Sequence, residues 1–299
     1  MALELISSAK CYNGVQKVYK HVSSEVGCSM NFSLYEPSSS TPGETFPVLF
    51  YLSGLTCTEQ NFIQKSGFQK YASEHRLIVV GPDTSPRGCN LPGEKDAWDF
   101  GEGASAYVDA VKEPWSKHYR MYSYVTKELP KLVSDNFPTS GKFGIFGHSM
   151  GGHGAIVCAL RNPHLFLSIS AFAPITNPSI TSWAKDKVFK NYLGEENKEL
   201  WASYDSCELI KGYTGPPRDI LVDQGDSDEF LLQILHPENL IAAAGQSPHH
   251  VKLTLRMQPG YNHSYFFVQS FIGDHIAHHA KILCPAKYQD KPKNTPHEK

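Results

Sequence analysis

Residues 141–160 read GKFGIFGHSMGGHGAIVCAL, and this stretch decides the fold because a short apolar strand runs directly into a small-residue helix. At the junction, residues 147–151 form the pattern G-x-S-x-G around Ser149. A strand, a sharp turn and a helix are the setting in which a serine hydroxyl projects from the edge of a sheet. The pattern therefore predicts that Ser149 is a catalytic nucleophile.

The glycines at 147 and 151 meet a steric requirement of such a turn. Side chains two residues before or after the serine would collide with the neighbouring strand or helix, and glycine removes that collision. Met150 comes next in the chain, at the predicted helix N-terminus, where free backbone N–H groups and the helix dipole favour an oxyanion. The sequence thus predicts that the Met150 amide binds a developing negative charge.

Strand-like and helix-like segments alternate on both sides of this turn. The predicted strands are 28–35, 47–53, 77–80, 142–146, 168–173, 219–223 and 251–257, and the predicted helices are 61–74, 121–137, 152–160, 230–244 and 264–283. Such alternation predicts an α/β protein with a mostly parallel central sheet and helices on both faces, and with the serine turn it predicts an α/β-hydrolase fold. Residues 1–284 are predicted to form a single domain, followed by a disordered polar tail at 285–299.

Composition excludes several classes of function. The chain has 299 residues, 40% of them hydrophobic and 19% charged, and a formal net charge of -2, which is ordinary for a folded enzyme. Without a basic stripe or a nucleic-acid-binding motif, no nucleic acid partner is expected. The apolar stretches are too short to cross a bilayer, and the N-terminus has no long apolar segment of the signal-peptide type. We therefore expect neither a membrane partner nor a signal peptide.

The seven cysteines are odd in number and scattered, and no CxxC pair occurs. A disulfide framework and a structural zinc site are therefore not expected. Thiols of this kind are typical of a reducing compartment, which predicts a cytoplasmic location.

A serine hydroxyl needs a base to take its proton and an acid to orient that base. In the predicted fold the chain order is serine, then aspartate or glutamate, then histidine. His263 fits best, because it follows the strand 251–257 and precedes the last helix. His148 and His153 flank the turn and are expected to serve packing or to make supporting hydrogen bonds. His249 and His250 precede a strand, which places them at the wrong end of the sheet.

The final helix carries further histidines. His275, His278 and His279 have the spacing of one helix face, and with Asp274 they could form a metal site. We expect them instead to lie on a solvated helix surface, and we expect no metal.

The acid comes from the loop after the strand 219–223. Asp226 and Asp228 both lie at its carboxyl end, where catalytic groups collect in open α/β sheets. Spacing alone does not choose between them, and one of the two is expected to cap the next helix.

Several blocks of sequence together resemble the S-formylglutathione hydrolase (esterase D) family, and the resemblance covers residues 2–283. The blocks are LSGLTCTEQNF (52–62), GPDTSPRGCN (81–90), WDFG (98–101), YRMYSYV (119–125), IFGHSMGGHGA (145–155), SAFAPI (170–175), DQG-x-x-D (223–228) and GY-x-HSYF (260–266). The chain departs from the family in the tail after 284 and in details of the loop 230–237.

This resemblance implies a catalytic triad of Ser149, Asp228 and His263, with Asp228 rather than Asp226 as the acid. It implies backbone N–H groups of Leu55 and Met150 as the oxyanion hole. Cys57 is similar to the family cysteine beside the active site that makes these enzymes sensitive to thiol reagents, and Trp98 is expected near the substrate cleft.

The activity implied by the resemblance is hydrolysis of the thioester S-formylglutathione to glutathione and formate, a step of formaldehyde detoxification, with side activity on short-chain esters. The implied partner is this small-molecule substrate, no cofactor is required, and a homodimer is the expected assembly. The alternative is a general short-chain carboxylesterase. A non-catalytic protein of the same fold is disfavoured, since Ser149, Asp228 and His263 are all present. Lys65 and Arg87 are candidates for binding the glutathione carboxylates.

Overall fold

The structure, a computed structural model, describes residues 2–247 and 249–286. Nine strands of the described residues form one sheet in the order β1-β2-β3-β5-β4-β6-β7-β8-β9. Their bounds are β1 Glu4–Lys10, β2 Gly14–Val22, β3 Ser29–Pro37, β4 Phe46–Leu52, β5 Ile78–Pro82, β6 Thr139–His148, β7 Phe166–Phe172, β8 Arg218–Gly225 and β9 Val251–Gln258.

In this order, the neighbouring strands β1, β2, β3 and β5 pair antiparallel. The neighbouring strands β5, β4, β6, β7, β8 and β9 pair parallel. Helices pack against this sheet. They are α1 Glu59–Lys65, α2 Gln69–His75, α3 Met121–Ser123, α4 Leu129–Asn136, α5 Met150–Arg161, α6 Phe189–Leu193, α7 Lys198–Ala202, α8 Ser206–Lys211, α9 Pro237–Gly245 and α10 Tyr265–Leu283. The predicted α/β architecture is confirmed.

The central strands form because their sequences are continuously apolar, as strands covered on both faces must be. All five residues of β5 are buried, and so are six of the seven residues of β4. Next to them, Phe62 of α1 stacks between Tyr51 and Phe68, with ring centroids 3.5 Å and 4.5 Å apart. This aromatic cluster fixes α1 on β4, the strand that leads into the active-site region.

Three predicted helices are interrupted in the structure. The predicted helix 121–137 divides into α3 and α4, with a π-helical turn, Tyr124–Glu128, between them. The predicted helix 61–74 divides into α1 and α2 because Gly67 between them has a φ of +66°. The predicted helix 230–244 divides into a π-helical turn, Leu231–Leu235, and α9. His236 separates these two segments with a φ of 50°, and Pro237 then begins α9, as proline favours the first turn of a helix.

The edge of the sheet and the segment after β7 were not predicted from the sequence. Strand β1 is exposed along its whole length, so no burial pattern identifies it. Between residues 178 and 211 lie three short helices, α6 to α8, which are five or six residues long and too short for a periodic signal.

The prediction of a solvated surface for the histidines of α10 is wrong. His275 and His279 are fully buried, and Ser170 Oγ lies 2.8 Å from His275 Nδ1 and 2.8 Å from His279 Nε2. Hydroxyls of β7 meet three of their four ring nitrogens, since Ser168 Oγ lies 2.7 Å from His279 Nδ1, and His275 Nε2 lies 3.1 Å from Asp223 Oδ2 of β8. This long-range pairing, which no local sequence pattern reveals, makes polar rings acceptable in the core.

Within residues 2–247 and 249–286, no group of three or more histidine, cysteine, aspartate or glutamate side chains has the arrangement of a metal site. None of the helices described there is long and apolar enough to cross a membrane. Apart from its first two residues, the predicted tail 285–299 lies outside the described residues.

Candidate active site

Ser149 lies at the tip of a strained turn between β6 and α5. Its backbone has φ 59° and ψ -122°, a conformation that side-chain-bearing residues rarely adopt. The turn is held from two sides, because the Ser149 N–H donates to the Phe172 carbonyl oxygen at 2.9 Å and the Ser149 carbonyl accepts from the His153 N–H at 3.0 Å. These bonds offset the backbone strain and fix the direction of the hydroxyl.

The two glycines of the turn are required by close backbone contacts. A Cβ placed on Gly147 would overlap the main chain of Gly151 and the carbonyl oxygen of Leu52. One placed on Gly151 would overlap the Leu52 carbonyl group. The steric reason predicted for glycine at both positions is therefore confirmed.

The structure brings Ser149, His263 and Asp228 together. His263 Nε2 lies 2.8 Å from Ser149 Oγ, and His263 Nδ1 lies 2.6 Å from Asp228 Oδ2. Ser149 and Asp228 are only 7% and 6% exposed. This arrangement lets the imidazole take the serine proton while the carboxylate holds its other nitrogen.

Asp228 and Asp226 have different surroundings. Asp228 Oδ1 accepts the Phe230 N–H at 2.9 Å, and its Oδ2 accepts the Gln224 side-chain amide at 3.2 Å in addition to His263. Asp226 is exposed and accepts the Gly260 N–H at 2.7 Å, which ties together the loops that follow β8 and β9. Only Asp228 contacts the imidazole, and the same side chain also caps the turn that follows it.

The predicted oxyanion donors, Leu55 and Met150, belong to two turns that adjoin the serine. Met150 is the first residue of α5, so its N–H is one of those without an intrahelical partner. The turn after β4 packs against the serine from the other side, since a Cβ placed on Gly54 would lie 3.1 Å from Ser149 Cβ. Leu55 is the next residue in this turn. An oxyanion hole built from Leu55 and Met150 remains a prediction that this proximity favours.

Above the serine a cavity of about 1020 Å³ opens, and both predicted cleft residues line it. Cys57 is half-buried, and burial raises the pKa of its thiol. Trp98 is 61% exposed at the cavity wall. Lys65 also lines the cavity, whereas Arg87 is held in ion pairs with other side chains at 2.7 Å and 3.3 Å. Of the two cations considered for the glutathione carboxylates, only Lys65 faces the cavity.

Seven further wall residues are apolar or aromatic, and none of them was predicted as a site residue from the sequence. They are Ile175, Trp183, Phe230, Ile234, Leu235, Tyr265 and Phe266. Tyr265 and Phe266 belong to the block GY-x-HSYF, which directly follows the predicted base and was the available signal for them. Trp183 comes from the short helical segment Trp183–Val188, which carries no motif.

The two histidines that flank the turn are buried. The His148 ring lies 4.5 Å from that of His263, and its pKa is held well below its usual range by burial and by the neighbouring imidazole. Burial also lowers the pKa of His153 to about 4. Both rings therefore stay neutral near pH 7 and add no charge beside the reacting groups.

Comparison with known proteins gives consistent results over nearly the whole chain. The profile of the family described as "Putative esterase" matches residues 23–278. S-formylglutathione hydrolase from Bos taurus is 55% identical over 286 residues, covering 95% of this chain and 99% of that protein. The enzyme of the same name from Arabidopsis thaliana is 50% identical over 283 residues, covering 94% and 98%.

Among solved structures, an S-formylglutathione hydrolase from Agrobacterium tumefaciens superposes with a TM-score of 0.88 at 45% identity, covering 93% of this chain and 99% of that one. A ferulic acid esterase matches with a TM-score of 0.66 at 17% identity, covering 91% and 100%, and this likeness shows the fold alone. Esterases of different specificity thus share the same scaffold.

Proposed function

The chain belongs to the S-formylglutathione hydrolase family of esterases, and on that premise we propose that it hydrolyses S-formylglutathione to glutathione and formate. The observation that carries the proposal is the continuous hydrogen-bonded line from Ser149 Oγ through His263 to Asp228, at the floor of a cavity of about 1020 Å³. Ligand cavities of several hundred cubic ångströms or more accommodate molecules larger than a short ester. The volume suits a tripeptide thioester.

In the first half-reaction, Ser149 Oγ attacks the formyl carbonyl carbon while His263 Nε2 takes the hydroxyl proton. Asp228 holds the imidazole in the tautomer that can accept this proton and stabilises the imidazolium. The carbonyl oxygen becomes an oxyanion beside the N–H groups of Leu55 and Met150, where one such donor contributes about 3 kcal/mol to the transition state. When the tetrahedral intermediate collapses, the C–S bond breaks and glutathione leaves with a proton from His263.

In the second half-reaction, water attacks the formyl-serine ester. His263 takes one proton from the water and then returns it to Ser149 Oγ, which leaves as formate is released. His148, 4.5 Å away, stays neutral because burial lowers its pKa, so it does not oppose the charge that His263 acquires. The cycle uses only groups of this chain and water.

A general short-chain carboxylesterase is the second candidate function. The observation that favours it is the apolar wall of the cavity, together with the exposed side chains of Trp98 and Phe266, which would bind ester alkyl groups without selecting glutathione. A specific thioesterase would need contacts with the charged ends of glutathione, and Lys65 is a cation available in the cavity wall.

A substrate panel separates the two functions. We would measure kcat/KM for S-formylglutathione, S-acetylglutathione and p-nitrophenyl acetate with the same preparation. Our proposal expects S-formylglutathione to exceed S-acetylglutathione by about a hundredfold, the size of discrimination that a close-fitting acyl pocket gives for one added carbon. Equal values for all three substrates would favour the general esterase.

The compartment, the domain organisation and the assembly predicted from the sequence also belong to this proposal. We propose a cytoplasmic protein with one domain over residues 1–284, acting on a small-molecule thioester as a homodimer. The scattered cysteines and the family membership support these statements. Size-exclusion chromatography with light scattering tests the dimer, and fractionation of cells tests the compartment.

A further inference from the structure

Gln224 is the second-last residue of β8, and its side chain reaches the carboxylate of the triad. The residue is fully buried, and its Nε2 donates to Asp228 Oδ2 at 3.2 Å and to the Gly225 carbonyl oxygen at 3.0 Å. The amide therefore bridges the first and last residues of the turn 225–228, which carries the acid.

These two contacts fix the direction in which the amide points. Both partners are acceptors, so the amide nitrogen faces them and both of its N–H groups are used. Gln224 Oε1 is then buried, without a hydrogen-bond partner in the part of the chain that the structure describes. An unpartnered buried oxygen costs stability, so its retention needs an explanation. We find that explanation in the donor that the same amide supplies to Asp228.

The Asp228 carboxylate is held by neutral donors and by the catalytic imidazole. Its side chain is fully buried, its Oδ1 accepts the Phe230 N–H at 2.9 Å, and its Oδ2 accepts both Gln224 and His263. Among the ion pairs of the described residues, the partner of Asp228 is His263 and not a lysine or an arginine.

Asp223, which immediately precedes Gln224 in β8, is a buried carboxylate of a different kind. The guanidinium of Arg256 donates to Asp223 Oδ1 at 2.7 Å, so a cation compensates its charge. A cation beside Asp228 would weaken the attraction of this carboxylate for the imidazolium that forms during the reaction. A neutral amide supports the Asp228 carboxylate and leaves its negative charge available to the imidazolium.

We propose that Gln224 is a positioning residue of the hydrolase, which acts on His263 through Asp228. Its N–H fixes Asp228 Oδ2 in the direction of His263 Nδ1 and takes up part of the charge of that oxygen. Without this donor the bond to His263 persists, because the Phe230 N–H still holds Oδ1, but its direction is no longer fixed. The inference rests on the triad of the proposed function and not on the identity of the substrate.

The pH dependence of kcat/KM gives a readout that a purely structural role would not change. A carboxylate oxygen with one donor fewer carries more charge and attracts the imidazolium more strongly. Since His263 must be neutral to take the serine proton, the acid midpoint, which is the pH where kcat/KM falls to half its plateau, should move to higher pH in a variant without the donor.

Other ionisable groups around the pair stay the same in such a comparison. The His148 ring lies 4.5 Å from that of His263 and is neutral because burial lowers its pKa, and the exposed Glu229 accepts the His263 N–H at 3.4 Å. The cavity wall and the loop after β8 add Cys57, Lys65, Asp99, Tyr265 and Asp226. A shift of the acid midpoint can therefore be assigned to the amide.

Gln224→Met removes the donor and keeps an unbranched side chain of similar length. We would measure kcat and KM with p-nitrophenyl acetate from pH 5 to pH 9, and with S-formylglutathione at pH 7.5. The variant should show a kcat about tenfold lower, the loss expected for one hydrogen bond to a charged group, with KM unchanged. Its acid midpoint should lie higher by roughly half a pH unit.

Gln224→Glu tests rescue of the donor. A protonated carboxyl at position 224 has an O–H that can donate to Asp228, and burial beside a negative charge favours this protonated form. Ionisation would place two negative charges side by side. We therefore expect kcat within about threefold of the wild type at pH 6, and a loss towards pH 9 that the wild type does not show.

Gln258→Met is the matched control. Gln258 Nε2 donates to Asp223 Oδ1 at 3.0 Å, a bond of the same type to a carboxylate that does not contact His263. This variant should keep the kcat and the acid midpoint of the wild type. Thermal unfolding curves would show which variants are folded.

Two results would overturn the role of Gln224. One is a folded Gln224→Met with the kcat and acid midpoint of the wild type, or with changes that Gln258→Met shares. The other, which decides the matter if Gln224→Met does not fold, is a pH profile of Gln224→Glu that runs parallel to that of the wild type. A wild type that cleaves p-nitrophenyl acetate but not S-formylglutathione would instead contradict the proposed substrate alone.

Discussion

Gly151 packs directly against the main chain of Leu52, so closely that an added Cβ would overlap the Leu52 carbonyl group. We therefore expect Gly151→Ala to lower the free energy of unfolding by about 3 kcal/mol or more, because neither the strand nor the helix can move without breaking the turn at Ser149. Hydrolase activity should fall with it. Urea denaturation and an esterase assay measure both effects.

Gly245→Ala is the matched control for this change. Gly245 ends α9, and nothing lies within 4 Å of a Cβ placed there. Alanine should leave activity unchanged and should keep stability or raise it by up to about 1 kcal/mol. If Gly151→Ala behaved like Gly245→Ala, the close packing described for the turn would be wrong.

The acid residue can be tested by a pair of substitutions. Asp228→Asn should lower kcat by about 10⁴-fold, because an amide at this position favours the wrong tautomer of His263 while keeping the shape of the site. Asp226→Asn should keep most of the wild-type kcat, since Asp226 contacts Gly260 and Ser227 rather than the imidazole. Thermal unfolding curves would show that both variants are folded. Equal losses of kcat would count against Asp228 as the acid.

Selection of glutathione can be tested at Lys65, which lines the cavity and whose Nζ lies 5.8 Å from the centroid of the Tyr265 ring, also in the cavity wall. Lys65→Met should raise KM for S-formylglutathione roughly tenfold, the loss of about 1.4 kcal/mol expected for one charge-assisted contact with a carboxylate. The KM for p-nitrophenyl acetate, which has no carboxylate, should not change. Lys70→Met, an exposed lysine that is not part of the cavity wall, serves as the control. A rise in KM for both substrates would exclude a role specific to glutathione.

Buried histidines should make the protein less stable in acid. Burial lowers the pKa of His153 from 6.5 to about 4, so between these values the unfolded chain binds a proton that the folded chain does not. The contribution of His153 to the free energy of unfolding is fully present above pH 6.5. It is lost as the pH falls towards 4, which lowers the free energy of unfolding by about 3 kcal/mol. Denaturant titrations at pH 7.5, 6 and 5 measure the part of this change that occurs above pH 5, about 2 kcal/mol.

His153→Gln removes this titrating group, so its free energy of unfolding should decline less steeply over the same pH interval, whatever its value at pH 7.5. An unchanged slope would show that His153 takes up its proton equally in the folded and unfolded protein.

Two parts of the site could be predicted from the sequence because a short pattern or a position in the chain order identifies them. The turn at Ser149 has its own glycine pattern, and His263 stands out because it follows the last strand. The choice of Asp228 over Asp226 required the resemblance to a family, since both aspartates share one loop and only the three-dimensional path of the chain brings one of them to the imidazole.

Features that depend on distant partners could not be predicted. His275 and His279 have the spacing of a polar helix face. Their burial is explained by distant partners, which are Ser168 and Ser170 of β7 and Asp223 of β8. The same holds for Trp183, which reaches the cavity from a segment without a motif. Strand β1 was not predicted, because an exposed edge strand does not require alternating apolar residues.

The most direct test of the account is the kcat/KM of Ser149→Ala for S-formylglutathione, measured beside the wild type and Ser227→Ala, in which an exposed serine is replaced. We predict a loss of about 10⁶-fold for Ser149→Ala, as in other enzymes that lose this nucleophile, with Ser227→Ala close to the wild type. If Ser149→Ala is folded and retains kcat/KM close to that of the wild type, the hydroxyl at 149 is not the nucleophile, and the mechanism proposed for this chain is wrong.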